Sequence, residues 1–232
     1  RQVGGTTGSP ASSNIVLSNG GQIYVADRLT DTILDDAGND ATALSTQLQS
    51  VQVFGLGGAD TITTGDGNDR VYGNTGADSV SGGAGNDSIY GGQENDTVSG
   101  GGGNDQVAGD LGNDQVNGGS GNDVLYGGAG NDVIDPDTGN DTIFATAGQD
   151  TVFGGGGRDV FAFFNDLTSG GNVRIGDFAP NVDKIAIFGY SGSVDDVLAR
   201  QTQSAAGVTV TLSDGTQITF VGLNELNRST FT

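Results

Sequence analysis

A nine-residue period governs the middle of this 232-residue chain. Counted from Gly55, twelve units run to Ala162 without an insertion: GLGGADTIT, TGDGNDRVY, GNTGADSVS, GGAGNDSIY, GGQENDTVS, GGGGNDQVA, GDLGNDQVN, GGSGNDVLY, GGAGNDVID, PDTGNDTIF, ATAGQDTVF and GGGGRDVFA. Position six is Asp in all twelve and position eight is apolar in all twelve; position four is Gly in eleven, with Glu94 the exception. A fixed period of this kind signals stacked repeats. A Gly-, Asn- and Asp-rich linker would not hold an apolar column in phase. That column is Ile62, Val71, Val80, Ile89, Val98, Val107, Val116, Leu125, Ile134, Ile143, Val152 and Phe161.

The spacing predicts an all-β fold. Residues seven to nine form a short strand with the middle side chain inward, and residues one to six form a turn. Glycine at positions one, two and four permits positive φ and close backbone approach. Two units make one coil with two strands and two turns, and stacked coils build two facing parallel sheets. At a strand spacing of about 4.8 Å, six coils give a rod of roughly 29 Å. One buried side chain in nine residues does not offset the entropy of ordering the rest, so something must bind.

The charge says what suits. Lys and Arg number 8 against 29 Asp and Glu, a net charge of -21. Such a chain repels nucleic acid and anionic membrane surfaces and attracts cations. It has no Cys and no His. That removes disulfides, thiolate chemistry, the commonest general base and a common zinc or copper ligand. No apolar run approaches transmembrane length. The start, RQVGGTTGSPASS, lacks a signal-peptide pattern and an initiator Met, which predicts a processed or excised chain.

The nonapeptides resemble the repeats-in-toxin (RTX) family, the hemolysin-type calcium-binding repeat, over roughly the middle half of the chain. The resemblance implies a right-handed parallel β-roll whose neighbouring turns grip Ca²⁺ between Asp side chains and backbone carbonyls. One edge then carries Asp60, Asp78, Asp96, Asp114, Asp132 and Asp150 as metal ligands, and the other Asp69, Asp87, Asp105, Asp123, Asp141 and Asp159. Five gaps per edge give about ten ions, whose charge of about +20 nearly cancels that of the chain. Without calcium the acidic turns repel; with it, binding free energy becomes folding free energy. Glu94 predicts a distorted site or an added carboxylate. The turns at Pro136 and Ala145, lacking the leading Gly pair, predict weaker or missing ions. Asp66, Asp110 and Asp137 read as solvated surface charge.

Three segments are expected: an N-terminal β segment and cap (1–54), the roll (55–162), and a C-terminal cap (163–232). Val53 and Leu44 extend the inward register. LQSVQVF at 48–54 predicts a metal-free capping strand; NIVLSN and GQIYVAD predict strands; DDAGND at 35–40 is a stray turn out of phase. Beyond Ala162, VRIGDFAPNVDKIAIFGY predicts two strand-like runs, SVDDVLARQ a Ser-capped helix with Val194, Val197 and Leu198 on one face, and VTVTLSDGTQITFV a hairpin around Asp214-Gly215. This region resembles the C-terminal part of RTX exoproteins, which implies a type I secretion exporter as partner. Asp177 and Asp183 read as turn caps before metal ligands. Outward position nine reads Tyr72, Tyr90, Ala108, Tyr126, Phe144 and Ala162 on one sheet, either a self-stacked column or a docking face.

No catalytic constellation is visible, and the expectation is a non-enzyme. The leading expectation is a secreted, extracellular or cell-surface structural protein that folds on external Ca²⁺ and self-assembles into a homo-oligomer, filament or surface layer. The alternative is the calcium-dependent folding and secretion module of a larger RTX toxin, protease, lipase or adhesin. An ice-binding adhesin ranks third, since no regular outward Thr rank is evident.

Overall fold

The computed structural model describes residues 50–165 and 171–232, with the backbone of three strands before them. Those three are β1 (Asn14–Val16), β2 (Thr32–Leu34) and β3 (Ala41–Ala43), and β4 (Gln52–Phe54) leads into the array. The array supplies β5 (Thr61–Asp66), β6 (Arg70–Thr75), β7 (Ser79–Ala84), β8 (Ser88–Gln93), β9 (Thr97–Gly102) and β10 (Gln106–Leu111). It continues with β11 (Gln115–Ser120), β12 (Val124–Ala129), β13 (Val133–Thr138), β14 (Thr142–Phe144), β15 (Gln149–Val152) and β16 (Val160–Phe164). After it come β17 (Asn172–Ile175), β18 (Lys184–Phe188), the helix α1 (Val194–Leu198), β19 (Thr202–Ser204), β20 (Gly207–Thr211) and β21 (Gln217–Val221).

Alternate strands of the array belong to opposite sheets. One sheet runs β1-β2-β4-β6-β8-β10-β12-β14-β16-β18, and the other β19-β20-β21-β17-β15-β13-β11-β9-β7-β5-β3. Pairing through the array is parallel, with each residue facing the one 18 positions on, as in Val71↔Ile89 and Val107↔Leu125. The fold is therefore a β-solenoid of about six coils, as the nine-residue period predicts. The position-eight residues, from Ile62 to Phe161, are at most 3% exposed and form the core between the sheets.

The strands are longer than the three residues expected. β6 runs through positions seven to nine and on through one to three of the next unit. Its register with β8 pairs Arg70, Val71 and Tyr72, passes over Gly73, and resumes at Asn74 and Thr75. The cause is backbone bookkeeping: an amide in the interior of a stack must find a partner, and the next coil supplies one. The turn shrinks to positions four to six.

The β1–β2 step is 18 residues, like the array, but the steps that join it to the array are wider. Ile33 pairs with Val53 and Thr42 with Ile62, a spacing of 20 residues rather than 18. Thr42 thus stands opposite Ile62, where the nine-residue count places Leu44, which itself lies outside the described residues. GQIYVAD and DDAGND also lie outside them, whereas NIVLSN contributes β1.

At the other end β17 and β21 extend one sheet in parallel, and β20 and β19 close it antiparallel. The hairpin and helix fall where the sequence places them. Ser193 accepts from Asp196 N while Asp196 Oδ2 accepts from Ser193 N, a reciprocal cap that starts α1. Val197 is its buried residue. Phe178 packs edge to face with Phe220 and at a tilt against Phe161, with centroids 5.0 and 5.5 Å apart, and the three give this end a larger apolar core than any coil has.

The outward aromatics stack within their sheet. Phe54–Tyr72 and Tyr72–Tyr90 lie 4.9 and 5.1 Å apart; Tyr126–Phe144, Phe144–Phe164 and Phe164–Phe188 lie 4.6, 5.7 and 4.6 Å apart. The column breaks at Ala108, which is only 5% exposed.

Candidate metal centres along the turns

All twelve position-six Asp residues sit where a turn gives way to a strand, and all are 1–3% exposed. They form two ladders. On one edge Asp78 Oδ1 accepts from Asp60 N, Asp96 Oδ1 from Asp78 N and Asp114 Oδ1 from Asp96 N, each at 2.8 Å. Asp132 and Asp150 continue it at 2.9 and 3.1 Å. On the other edge Asp69 accepts from Val51 N, and Asp87, Asp105, Asp123, Asp141 and Asp159 each accept from the Asp one coil earlier, at 2.7–3.0 Å. One carboxylate oxygen is thereby fully used in stacking the coils.

The other oxygen is not. From Asp78 to Asp159, Oδ2 is buried and has no hydrogen-bond partner among the described residues. An unpaired buried carboxylate oxygen is costly, and ten in a row need a common explanation. For six of them, from Asp78 to Asp123, the slot alongside supplies one. A Cβ placed on Gly73 would lie 2.4 Å from Asp78 Oδ2 and 2.4 Å from the Gly91 carbonyl oxygen of the next coil. The same pair of oxygens, one carboxylate and one carbonyl, converges at Gly55, Gly82, Gly91, Gly100, Gly109 and Gly118. At Gly127 the Ile134 methyl, at 3.0 Å, is nearer than any carbonyl of the next coil. Position one is thus glycine for space, and positions two and four for backbone angle: Asn74, Asp110 and Asp137 at position two have φ of 68–75°.

These slots fit a hard cation. Their donors are oxygens from two successive coils, and from Asp78 to Asp123 the carboxylate Oδ2 has no hydrogen-bond partner among the described residues. Among the described residues no three His, Cys, Asp or Glu side chains converge, so further ligands would be backbone carbonyls. Electrostatics agrees. Burial strips water from the charged carboxylates and pushes Asp87, Asp96 and Asp150 up to about 7, and Asp105, Asp132, Asp141 and Asp159 up to about 6. The amide from the preceding coil pulls each back down, and in most of them, as at Asp87 and Asp96, neighbouring carboxylates add to the rise. A divalent cation relieves both the desolvation and the repulsion.

Glu94 adds a carboxylate without breaking the turn. It takes φ +74°, and its Oε2 accepts from Gly76 N at 2.8 Å. Burial raises Asp78 and Asp96, and the Glu94 charge adds a little to the rise. Asp137 is exposed, as expected of surface charge, whereas Asp110 is partly buried and pushed up by that burial. Asp177 takes Gly154 N and Gly155 N on its two oxygens. Asp183 takes Asp159 N and Ala179 N. Asp183 is the last rung of its ladder, 24 residues beyond Asp159, and both its oxygens are satisfied by protein. The position-five Asn residues form a second ladder of opposite polarity: Asn68 Oδ1 accepts from Asn86 N, Asn86 from Asn104 N and Asn104 from Asn122 N, at 2.7–2.8 Å. The signal for it is Asn at position five in eight of the twelve units, which the sequence reading passed over.

A parallel β-roll with periodic buried carboxylates at its turns defines a class of calcium-binding protein. Residues 52–80, 72–107, 81–116, 108–143 and 135–162 match the family model of the RTX calcium-binding nonapeptide repeat (4 copies), so the roll is an array of that repeat. Among solved structures it is similar to the AlgE6R3 subunit of the Azotobacter vinelandii mannuronan C5-epimerase, with 22% identity over 60% of this chain and 78% of that one and a TM-score of 0.38. It is also similar to the extracellular lipase LipA of Serratia marcescens, with 12% identity over 91% of this chain and a TM-score of 0.34; the match spans 42% of the lipase. No curated protein matches. Among the described residues no helix is long and apolar enough to cross a membrane.

Proposed function

We propose that this chain is a secreted, calcium-gated structural protein whose roll folds when Ca²⁺ enters the slots between successive coils. The observation that carries the reading is the row of buried, unpartnered Oδ2 atoms, six of which, from Asp78 to Asp123, face a carbonyl of the next coil across a glycine. The position-six Asp residues are the side-chain ligands. The glycine-lined slots that hold both oxygens are seven, at Gly55, Gly73, Gly82, Gly91, Gly100, Gly109 and Gly118, fewer than the ten gaps counted from sequence. Bound there, Ca²⁺ supplies positive charge between coils; the chain supplies spacing, through the apolar column and the Asp and Asn ladders. Its role is non-catalytic. Low calcium inside a cell keeps the chain unfolded for a type I exporter, which the C-terminal region resembles a substrate of, and external calcium folds it. Circular dichroism with calcium and then chelator tests this: strand signal should appear with the ion and collapse without it, and signal indifferent to chelation would sink the reading.

Assembly into an extracellular layer or filament is the second reading. Phe188, 47% exposed at the open end of the aromatic column, favours it. Electron microscopy after calcium addition distinguishes the two: ordered arrays support assembly, and monomeric particles at high concentration leave the roll as a folding module.

A further inference from the structure

The unit TGDGNDRVY begins with Thr64, where most units begin with glycine. Thr64 is 3% exposed, and its Oγ1 donates to the Gly82 carbonyl at 2.7 Å. That carbonyl belongs to position one of the next coil. It is the counterpart of the oxygen that meets an Asp carboxylate in each complete glycine-lined slot. The hydroxyl hydrogen is thereby committed to the carbonyl that a cation would meet in the glycine-lined slots, and the Thr64 Cβ takes up room that glycine leaves open in them.

We propose that Thr64 closes this inter-coil site with its own hydroxyl, so that the turns 64–69 and 82–87 are joined without a metal ion. The inference rests on reading the remaining slots as calcium sites. Pro136 and Ala145 also occupy position one, but neither side chain carries a hydrogen-bond donor, so they fill the slot without bridging it. Thr64 does both. It stands in the first unit of its edge, next to β4, whose neighbour Val51 donates to Asp69 Oδ1. The roll then has a metal-free rung where the array meets the N-terminal strands, built by a side chain in place of an ion.

Native mass spectrometry of the full chain, loaded with calcium and compared with Thr64→Gly, tests this. The variant installs the glycine that nine of the twelve units carry at position one, so the fold already accommodates it there. It should retain one calcium ion more than the wild-type chain. Gly82→Thr, which copies the plug into the next slot of the same edge, should retain one fewer. A Thr64→Gly count equal to that of a calcium-loaded wild type would overturn the inference and leave the array reading standing. No calcium on either chain would overturn both.

Discussion

Position one and position four ask for glycine for different reasons, and Glu94 shows what the second costs. A residue with a Cβ at φ +74° lies in the left-handed region, at a cost of about 1–2 kcal/mol. Its Oε2–Gly76 N hydrogen bond is solvent-exposed and returns less than that. Glu94→Gly should therefore stabilise the calcium-loaded roll by about 1 kcal/mol, read from urea unfolding. Gly85→Ala should do the opposite. At φ +131° an added Cβ would lie 1.8 Å from the Gly67 carbonyl oxygen, so the coil must open there, and a loss of about 1–3 kcal/mol is expected in the same measurement.

At the scale of the strand, stacking depends on side chains that repeat every second unit. The aromatic column is continuous from Phe54 to Tyr90 and from Tyr126 to Phe188, and Ala108 interrupts it. Ala108→Tyr should join the two halves and stabilise the roll by about 0.2–1 kcal/mol for each new pair, seen as a higher melting temperature in saturating calcium. How far the strands can be read from sequence follows from the same geometry. A side chain that repeats in phase announces its face, so the apolar column, the two Asp edges and the outward aromatics are legible. Glycine carries no such signal. Positions one to three therefore read as turn, although they hydrogen-bond as strand. Asp183 is hidden for a related reason: its loop is six residues longer than the repeat, and only the folded chain brings it under Asp159. Thr42 stands opposite Ile62 because the earlier coil is two residues wider, and a nine-residue count cannot register that.

For the whole molecule the decisive fact is charge held out of water. The net charge is -21, and the turn carboxylates are buried in two close-set ladders. Without calcium this sets a pH dependence whose sign follows from linkage. Burial raises the folded-state affinity of Asp87, Asp96 and Asp150 for protons to about 7, above the ordinary value of 3.8, so the folded chain binds protons that the unfolded chain releases. The stability they contribute is present at low pH and is lost as the pH rises through about 7. A calcium-depleted chain should thus hold more strand at pH 5 than at pH 8 by circular dichroism, and equal signals would argue against buried carboxylates. The C-terminal segment differs, because Asp177 and Asp183 are satisfied by backbone amides and Phe178 and Phe220 add apolar packing beyond Phe161. Amide hydrogen exchange with calcium and with chelator reads the roll and the C-terminal strands separately. Chelation should strip protection from the turns and strands of 55–162 while β20 and β21 keep theirs. Protection of the repeats that survives chelation unchanged would contradict calcium-dependent folding of the roll.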